Sequence, residues 1–165
     1  EAPDFVAAVA PVAAGLPDGA NLDCTPAGRP VAILILNGTE DPMNPFAGGR
    51  VVFYGIWGDR GTVLSSDASA AYWSGLAGHR APPRRHRYPD RSEDDGSWAE
   101  ITTFGDGPGP EVAHVVIHGG GHTFPSLRGR YPLGLGATNA DLDAASEIWD
   151  FFARQRLGAG SLPPG

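Results

Sequence analysis

Two apolar runs, residues 31–36 and 112–117, constrain the fold of this chain more than any other feature. Each run is rich in β-branched side chains and lacks polar alternation, apart from His114 in the second. Such runs are typical of strands that are buried on both faces of a parallel sheet. A helical pattern follows each run. The order strand, loop, helix, strand, loop, helix therefore indicates a fold of the α/β class.

Two segments carry the periodicity and the end signals of helices. Residues 65–67 (Ser-Ser-Asp) offer N-cap oxygens and a negative first turn, and Gly78 lies where that helix is expected to stop. Asn139 is predicted to cap the last helix, with Asp141 and Asp143 in its first turn. The apolar face predicted for this last helix comprises Leu142, Ala145, Ile148, Trp149 and Phe152.

Turn chemistry predicts an additional hairpin between the two helices. Asp95-Gly96 is a hairpin-type turn signal, and it separates residues 85–88 from residues 98–104. We therefore expect a local antiparallel pair of strands there. The surrounding arginine-rich segment is followed at once by Glu93, which favours a solvated edge over a nucleic-acid patch.

The size and charge of the chain limit its organisation and its partners. With 165 residues and 41% hydrophobic content, it can bury the core of about one domain. We place this domain at residues 1–157 and interpret residues 158–165 as a flexible tail or linker. The net charge of −7 disfavours nucleic acid or an anionic membrane as the partner, and no apolar run of about 18 residues predicts a membrane span. Glu1 is not an initiator residue, so we expect that the chain begins after a cleavage or a break.

The loops that follow the two apolar runs carry an acid and a histidine. The first reads Asn-Gly-Thr-Glu-Asp-Pro at residues 37–42, and the second reads Gly-Gly-Gly-His-Thr-Phe-Pro at residues 119–125. Ligands of open α/β sheets bind beyond the carboxyl ends of the strands, where Asp41 and His122 are predicted to lie. The alternative is a purely structural role, in which Asp41 caps a turn while His122 packs in a loop.

An acid and a histidine at these positions indicate acyl-transfer chemistry. Imidazole is the usual carrier of the nucleophile's proton, and a carboxylate fixes its tautomer. Asp41 before His122 matches the last two places of the order Ser, Asp, His in α/β hydrolases. We expect the glycines at 119–121 to permit a sharp turn and to leave the imidazole free to swing over a neighbouring site.

No serine in the chain has the surroundings of a nucleophile. The nine serines are at positions 65, 66, 69, 74, 92, 97, 126, 146 and 161, and none has glycine two residues before and two residues after it. Ser126 lies near His122 but follows Pro125 and stands on the wrong side of the triad order. The nucleophile and the oxyanion-hole donors are therefore expected to come from elsewhere.

A metal site is the alternative use of the histidines. His114, His118 and His122 recur at four-residue intervals, and evenly spaced histidines can bind zinc. The first two fall on or next to a strand, however, and three glycines precede the third. We therefore expect no metal and no other cofactor.

Together these segments resemble the C-terminal half of the secreted polyhydroxybutyrate-depolymerase-like and feruloyl-esterase-like α/β hydrolases. The resemblance extends from about Glu1 to Arg156. It departs from the family at Asn37, where members usually carry histidine, and at Phe124, where many carry tryptophan. The segments that carry it are residues 1–13, 37–46 (Asn-Gly-Thr-Glu-Asp-Pro-Met-Asn-Pro-Phe), 63–66, 119–125, 130–136 and 141–152.

The resemblance implies a fold, an activity and a missing partner. The fold would be the C-terminal portion of a three-layer α/β hydrolase, with its last parallel strands and helices but without the nucleophile-bearing half. The activity would be carboxylic ester hydrolysis, with Asp41 as the acid, His122 as the base and a serine supplied by an N-terminal half. The substrate would be a polyester, a feruloyl ester or a small ester, and the protein would be secreted or periplasmic.

Aromatic side chains near the two loops are candidates for substrate contacts. Phe46, Trp57 and Phe124 are predicted to line an acyl or aromatic-ester pocket. Two other functions are compatible with the same site residues. One is a non-catalytic binding module that retains half of a hydrolase fold, and the other is a peptidase or another acyl hydrolase with the same triad.

Overall fold

The computed structural model describes residues 5–53, 57–105, 109–129 and 131–156, apart from the side chains of Trp57 and Leu133. The segment interpreted as a tail or linker, residues 158–165, lies outside the described residues. Within them, no helix combines the length and the apolarity that crossing a bilayer requires. The strands are β1 (Ala8–Val9), β2 (Ala32–Gly38), β3 (Gly49–Phe53), β4 (Trp57–Val63), β5 (Arg84–Arg87), β6 (Trp98–Phe104) and β7 (Val112–His118); the helices are α1 (Ser66–Leu76), α2 (Ala144–Ala153) and a 3-10 turn at Leu133–Leu135.

A mixed five-stranded sheet organises the chain. Its strand order is β1-β2-β7-β6-β5, in which β1, β2 and β7 are parallel and the β7-β6-β5 meander is antiparallel. The two apolar runs form the adjacent central strands β2 and β7, with Gly38 opposite Ile117 at their carboxyl ends. The prediction of an α/β fold with two buried parallel strands is confirmed, as is the antiparallel β5-β6 pair. A separate hairpin consists of β3 and β4.

The two helices pack against opposite faces of this sheet. On one face, alternate β7 residues such as Val115 form a buried cluster with Phe151 of α2. On the other face, Val112 and Ile35 form a second cluster with Ala70 of α1. Residues of a strand alternate between the two faces, so β7 contributes to both clusters. This arrangement leaves the carboxyl ends of β2 and β7 side by side at one edge of the sheet.

Helix α1 begins as the sequence predicts, whereas α2 does not. The Ser65 hydroxyl accepts a hydrogen bond from the backbone N–H of Ala68, and Gly78 follows the helix with a φ of 79°. Helix α2 is capped by Asp143, which accepts from the N–H of Ser146, and not by Asn139. Asn139 is fully buried, and its amide donates to the Ser97 hydroxyl and to Asp141. The prediction of an Asn139 cap is therefore wrong, because its side chain joins two loops instead.

The predicted apolar face of the last helix is confirmed in part, because Leu142 is buried and Ile148 packs against the core. Ala144 and Phe151 are buried, while Trp149 is 71% exposed and Phe152 is 37% exposed. At two positions the residue that meets the sheet therefore lies one residue earlier than predicted, with Ala144 buried in place of Ala145 and Phe151 in place of Phe152. This shift agrees with the first turn of the helix, which begins at Ala144 after the Asp143 cap.

Candidate active site

Asp41 and His122 lie together just beyond the carboxyl ends of β2 and β7. The Oδ2 atom of Asp41 is 2.8 Å from Nδ1 of His122. The Asp41 side chain is fully buried, whereas the His122 side chain is 30% exposed. Asp41 also caps its own turn, because Oδ1 accepts hydrogen bonds of 2.8 Å from the N–H groups of Met43 and Asn44. One carboxylate thus holds both the turn and the histidine.

The contact with Asp41 determines what His122 can do. A carboxylate only accepts hydrogen bonds, so the proton between the two residues is carried by Nδ1. The neutral ring then presents Nε2 as an acceptor. This atom makes no hydrogen bond to any residue that the structure describes. A half-exposed imidazole, oriented by a buried carboxylate and with its second nitrogen available, has the arrangement of a general base.

We call residues 37–42 the acid loop and residues 119–125 the histidine loop. Hydrogen bonds join the acid loop to the end of β7 and to the histidine loop. The N–H of Thr39 donates to the carbonyl of Ile117, and the N–H of Glu40 donates to the carbonyl of Gly120. In the opposite direction, the N–H of Gly119 donates to the Thr39 hydroxyl at 2.9 Å. The two loops therefore continue the parallel β2-β7 pairing past the ends of the strands, which fixes the separation of Asp41 and His122.

Close packing gives the glycines of these loops their role. Gly119 has a φ of 73°, as a sharp turn after β7 requires. A Cβ atom at Gly38 would collide with the carbonyl of Gly120, and one at Gly121 would collide with the carbonyl of Leu135. These contacts hold the backbone of the loop, and the imidazole itself is bonded to Asp41. His122 follows a tightly packed backbone, and its own N–H donates to the Leu135 carbonyl.

The aromatic residues predicted to contact a substrate have different surroundings. Phe46 is half-buried and stacks on His114, with ring centroids 6.2 Å apart and planes 13° apart. Phe124, which directly follows Thr123 in the histidine loop, is half-buried against the core cluster on the α2 face. Trp57 begins β4, but its side chain lies outside the described part of the chain.

A second serine–histidine pair, not predicted from the sequence, lies inside the molecule. The hydroxyl of Ser66 is 2.7 Å from Nε2 of His114, and the carboxylate of Asp67 is 3.8 Å from Nδ1 of the same ring. Ser66 is 2% exposed and His114 is 3% exposed. Burial lowers the pKa of His114, because desolvation disfavours the charged ring. The trio has the residue types of a triad but offers no access to a substrate.

Each histidine of the evenly spaced set has its own partner. His114 contacts Ser66, while His122 contacts Asp41. His118 contacts the Glu100 carboxylate at 3.1 Å and stacks on Trp98 with ring centroids 3.7 Å apart. Within the described ranges, no group of three or more His, Cys, Asp or Glu residues has an arrangement that could hold a metal ion.

Comparison with known proteins relates the chain to a named esterase. The chain is 30% identical over 158 residues to a protein of Nocardia uniformis subsp. tsuyamanensis named "Putative esterase NocK". The alignment covers 92% of this chain but 45% of the Nocardia protein, so the chain spans about half the length of that relative. No protein-family model matches the chain. No solved structure matches it either. The similarity supports an esterase-like relationship.

Proposed function

We propose that this chain is part of a serine esterase that hydrolyses carboxylic esters, with His122 as the general base and Asp41 as the residue that orients it. The observation that carries the proposal is the 2.8 Å contact between Asp41 and Nδ1 of His122, which leaves Nε2 available at a half-exposed ring. A non-catalytic module would need no such geometry. The similarity to a protein named as an esterase supports the same chemistry.

The proposed reaction has two stages that share one histidine. The serine oxygen attacks the ester carbonyl carbon while Nε2 of His122 takes the hydroxyl proton. His122 then returns that proton to the departing alkoxide, and an alcohol and an acyl-enzyme result. In the second stage, a water attacks the acyl-enzyme while Nε2 takes its proton. Collapse releases the carboxylic acid and restores the serine hydroxyl, while Asp41 stabilises the transient imidazolium throughout.

The nucleophile of this proposal comes from an N-terminal half that precedes the chain. Among the described residues, no serine hydroxyl contacts His122, and Ser66 is sealed inside the molecule. More than half of the length of the Nocardia relative lies outside the aligned region. We propose that the corresponding upstream half carries a Gly-x-Ser-x-Gly turn. Residues 1–157 would then be the C-terminal portion of one α/β-hydrolase domain.

The edge of the sheet at β1 suits such a partner. Strand β1 is the outermost described strand on its side, and nearby Phe5 and Val6 are 71% and 42% exposed. A cavity of about 650 Å³ beside it is lined by apolar side chains that include Leu22 and Tyr72. An upstream half that extended the sheet from β1 would cover this surface, as the hydrophobic effect favours.

The proposed substrates are esters with an acyl group that half-buried aromatic residues can contact. Phe46 stacks on His114 and Phe124 packs against the core, and each is partly buried, so part of each side chain is available to a polyester or a feruloyl ester. A panel of p-nitrophenyl, feruloyl and hydroxybutyrate esters, tested on the complete protein, would identify the acyl group. A peptide anilide in the same panel would distinguish an esterase from a peptidase with the same triad.

A fluorophosphonate probe tests the proposed mechanism directly. In the complete protein, the label should map to a serine upstream of this chain. His122→Ala should abolish the labelling, while the matched variant His118→Ala should retain it, because His118 faces Glu100 and Trp98. Labelling of a serine within this chain would contradict the proposal. So would labelling that survives His122→Ala unchanged.

A further inference from the structure

Three buried polar side chains, Asn37, Ser66 and His114, form a hydrogen-bonded group that we call the Ser66 cluster. They are 2%, 2% and 3% exposed. The Asn37 amide donates to the Ser66 hydroxyl at 2.8 Å, and the Ser66 hydroxyl lies 2.7 Å from Nε2 of His114. The three residues come from β2, the first turn of α1 and β7. The cluster therefore joins elements on both sides of the acid loop.

The contacts of the Ser66 cluster favour one direction for its hydrogen bonds. Asn37 accepts from the N–H of Ala14 and donates to the carbonyl of Ala14, so the orientation of its amide is fixed. The amide then donates its other proton to Ser66. The Ser66 oxygen accepts from Asn37, and among the described contacts Nε2 of His114 is the acceptor within reach of the Ser66 proton, so we assign that proton to the Ser66–His114 hydrogen bond. His114 is thus neutral, with its own proton on Nδ1.

The Ser66 cluster contacts the acid loop on both sides of Asp41. Asn37 precedes Asp41 by four residues on β2, where it is bonded to Ser66. Phe46 follows Asp41 by five residues, and its carbonyl accepts a 2.8 Å hydrogen bond from the N–H of Ser66. The Phe46 ring also stacks on His114. The chain therefore enters and leaves the acid loop through the same buried cluster.

We propose that Ser66 and His114 are positioning residues, which hold the acid loop so that Asp41 keeps its contact with His122. The inference rests on the proposed function, because the value of the contact is catalytic. Neither residue can touch a substrate, since both are sealed from solvent. They act through the backbone of residues 37–46, whose Asp41 side chain is itself fully buried. Displacement of a catalytic group by about 1 Å can cost about 100-fold in rate.

Kinetics of the complete protein test this role with a matched control. Ser66→Ala should lower kcat for ester hydrolysis by about 10- to 100-fold while KM stays within about twofold. Ser69→Ala is the control, because Ser69 is also buried on α1 and is hydrogen-bonded to Ser65 and Leu16, and none of its described hydrogen bonds reaches residues 37–46. Its kcat should stay within about twofold of the wild-type value.

A pair of substitutions at His114 tests the role should Ser66→Ala fail to fold. His114→Gln retains an oxygen that can accept the Ser66 proton, whereas His114→Leu does not. We expect His114→Gln to keep a kcat about tenfold higher than that of His114→Leu. Equal values of kcat in the two folded variants, both close to the wild-type value, would overturn the positioning role.

A spectroscopic measurement separates this inference from the proposed esterase activity. With ¹⁵N-labelled histidine, the resonance of the His122 Nδ1 proton reports its contact with Asp41 whether or not the protein is active. Ser66→Ala should shift or broaden this resonance, and Ser69→Ala should not. A complete protein that hydrolyses no ester but shows the shift would refute the activity and support the positioning. An active protein with an unchanged resonance in folded Ser66→Ala would refute the positioning alone.

Discussion

One strand of this protein leads to two histidines with opposite environments. His114 lies within β7, where its side chain is 4% exposed and its Nε2 is bonded to Ser66. His122 follows the end of β7, where its side chain is 30% exposed and its Nδ1 is bonded to Asp41. The first ring combines with a serine and an aspartate, and the second with an aspartate alone. Yet only the second has a free nitrogen that a substrate could approach.

The comparison shows that residue types do not identify a catalytic group. Nε2 of His114 lies 2.7 Å from a serine hydroxyl, but this nitrogen is therefore already occupied, and burial lowers the pKa of His114. Among the described residues no serine contacts His122, but a buried carboxylate orients its ring, which is 30% exposed. Access and an available nitrogen therefore distinguish a site for chemistry from a structural cluster.

The largest difference should come from the acids that lie beside the two histidines, Asp41 and Asp67. Asp41→Asn should lower kcat of the complete protein by about 1,000- to 10,000-fold, because the amide no longer fixes the tautomer of His122. Asp67→Asn should keep kcat within about twofold of the wild-type value, because Asp67 is 77% exposed and lies 3.8 Å from His114. Steady-state ester hydrolysis measures both. Similar losses of kcat in the two variants would mean that the Asp41–His122 pair and the Asp67–His114 pair do not differ in function.

The next effect concerns the backbone that carries the exposed histidine. Gly121→Ala should lower the free energy of unfolding by about 3 kcal/mol, because its Cβ would collide with the backbone of Leu135 and Gly136. Gly129→Ala is the control, since its Cβ would meet only the flexible Ser126 side chain at 3.4 Å. Urea unfolding of both variants gives the difference. A Gly121→Ala variant as stable as the control would show that this loop is not tightly packed.

Substitution of His114 should lower stability more than substitution of His122, although we expect His122 to matter more for activity. His114→Ala should cost about 2 kcal/mol of unfolding free energy, because it leaves the buried Ser66 hydroxyl without its acceptor. His122→Ala should cost less than about 1 kcal/mol, because its ring is partly exposed and water can replace it at Asp41. Denaturant titrations test the pair. A larger loss of unfolding free energy in His122→Ala than in His114→Ala would contradict this prediction.

A smaller effect should appear in the pH dependence of stability. An unfolded histidine binds a proton near pH 6.5, but folded His114 has a lowered pKa and binds one only at lower pH. As pH falls below 6.5, the unfolded state gains a proton that the native state does not. The contribution of His114 is therefore complete above pH 6.5 and declines below it, by at most about 1.4 kcal/mol per pH unit.

Comparison with His114→Gln isolates this titration. Unfolding free energies measured at pH 7.5, 6.5 and 5.5 should fall more steeply for the wild type than for the variant, because the other titrating groups are common to both. Parallel curves would show that His114 is protonated alike in the folded and unfolded states.

Local signals in the sequence predict much of the fold and part of the site. The apolar runs at 31–36 and 112–117 mark the two central strands, because strands buried on both faces need no alternation. The caps around α1 and the Asp95-Gly96 turn also predict their elements correctly. Asp41 and His122 are predicted together because two parallel strands end at the same edge.

Contacts between distant segments account for what the sequence does not predict. The displaced start of α2 follows from the buried amide of Asn139, which bonds to Ser97 on another loop. Ser66 and His114 are 48 residues apart, and no spacing rule links a helix start to the middle of a strand. The sequence does not predict the β3-β4 hairpin, because Gly49, Gly58 and Gly61 give this segment the composition of a loop. In the structure these glycines have positive φ angles, which suit the irregular pairing of the two strands.

The hydrogen bonds between the acid loop and the histidine loop have a consequence for engineering. Thr39 donates through its backbone N–H to Ile117 near the end of β7 and accepts through its hydroxyl from Gly119, and Gly38 packs against Gly120 without room for a side chain. Neither loop can be exchanged for that of a relative without the other. Loop grafts intended to change the selectivity of this protein should transfer residues 38–41 and 119–122 as one unit.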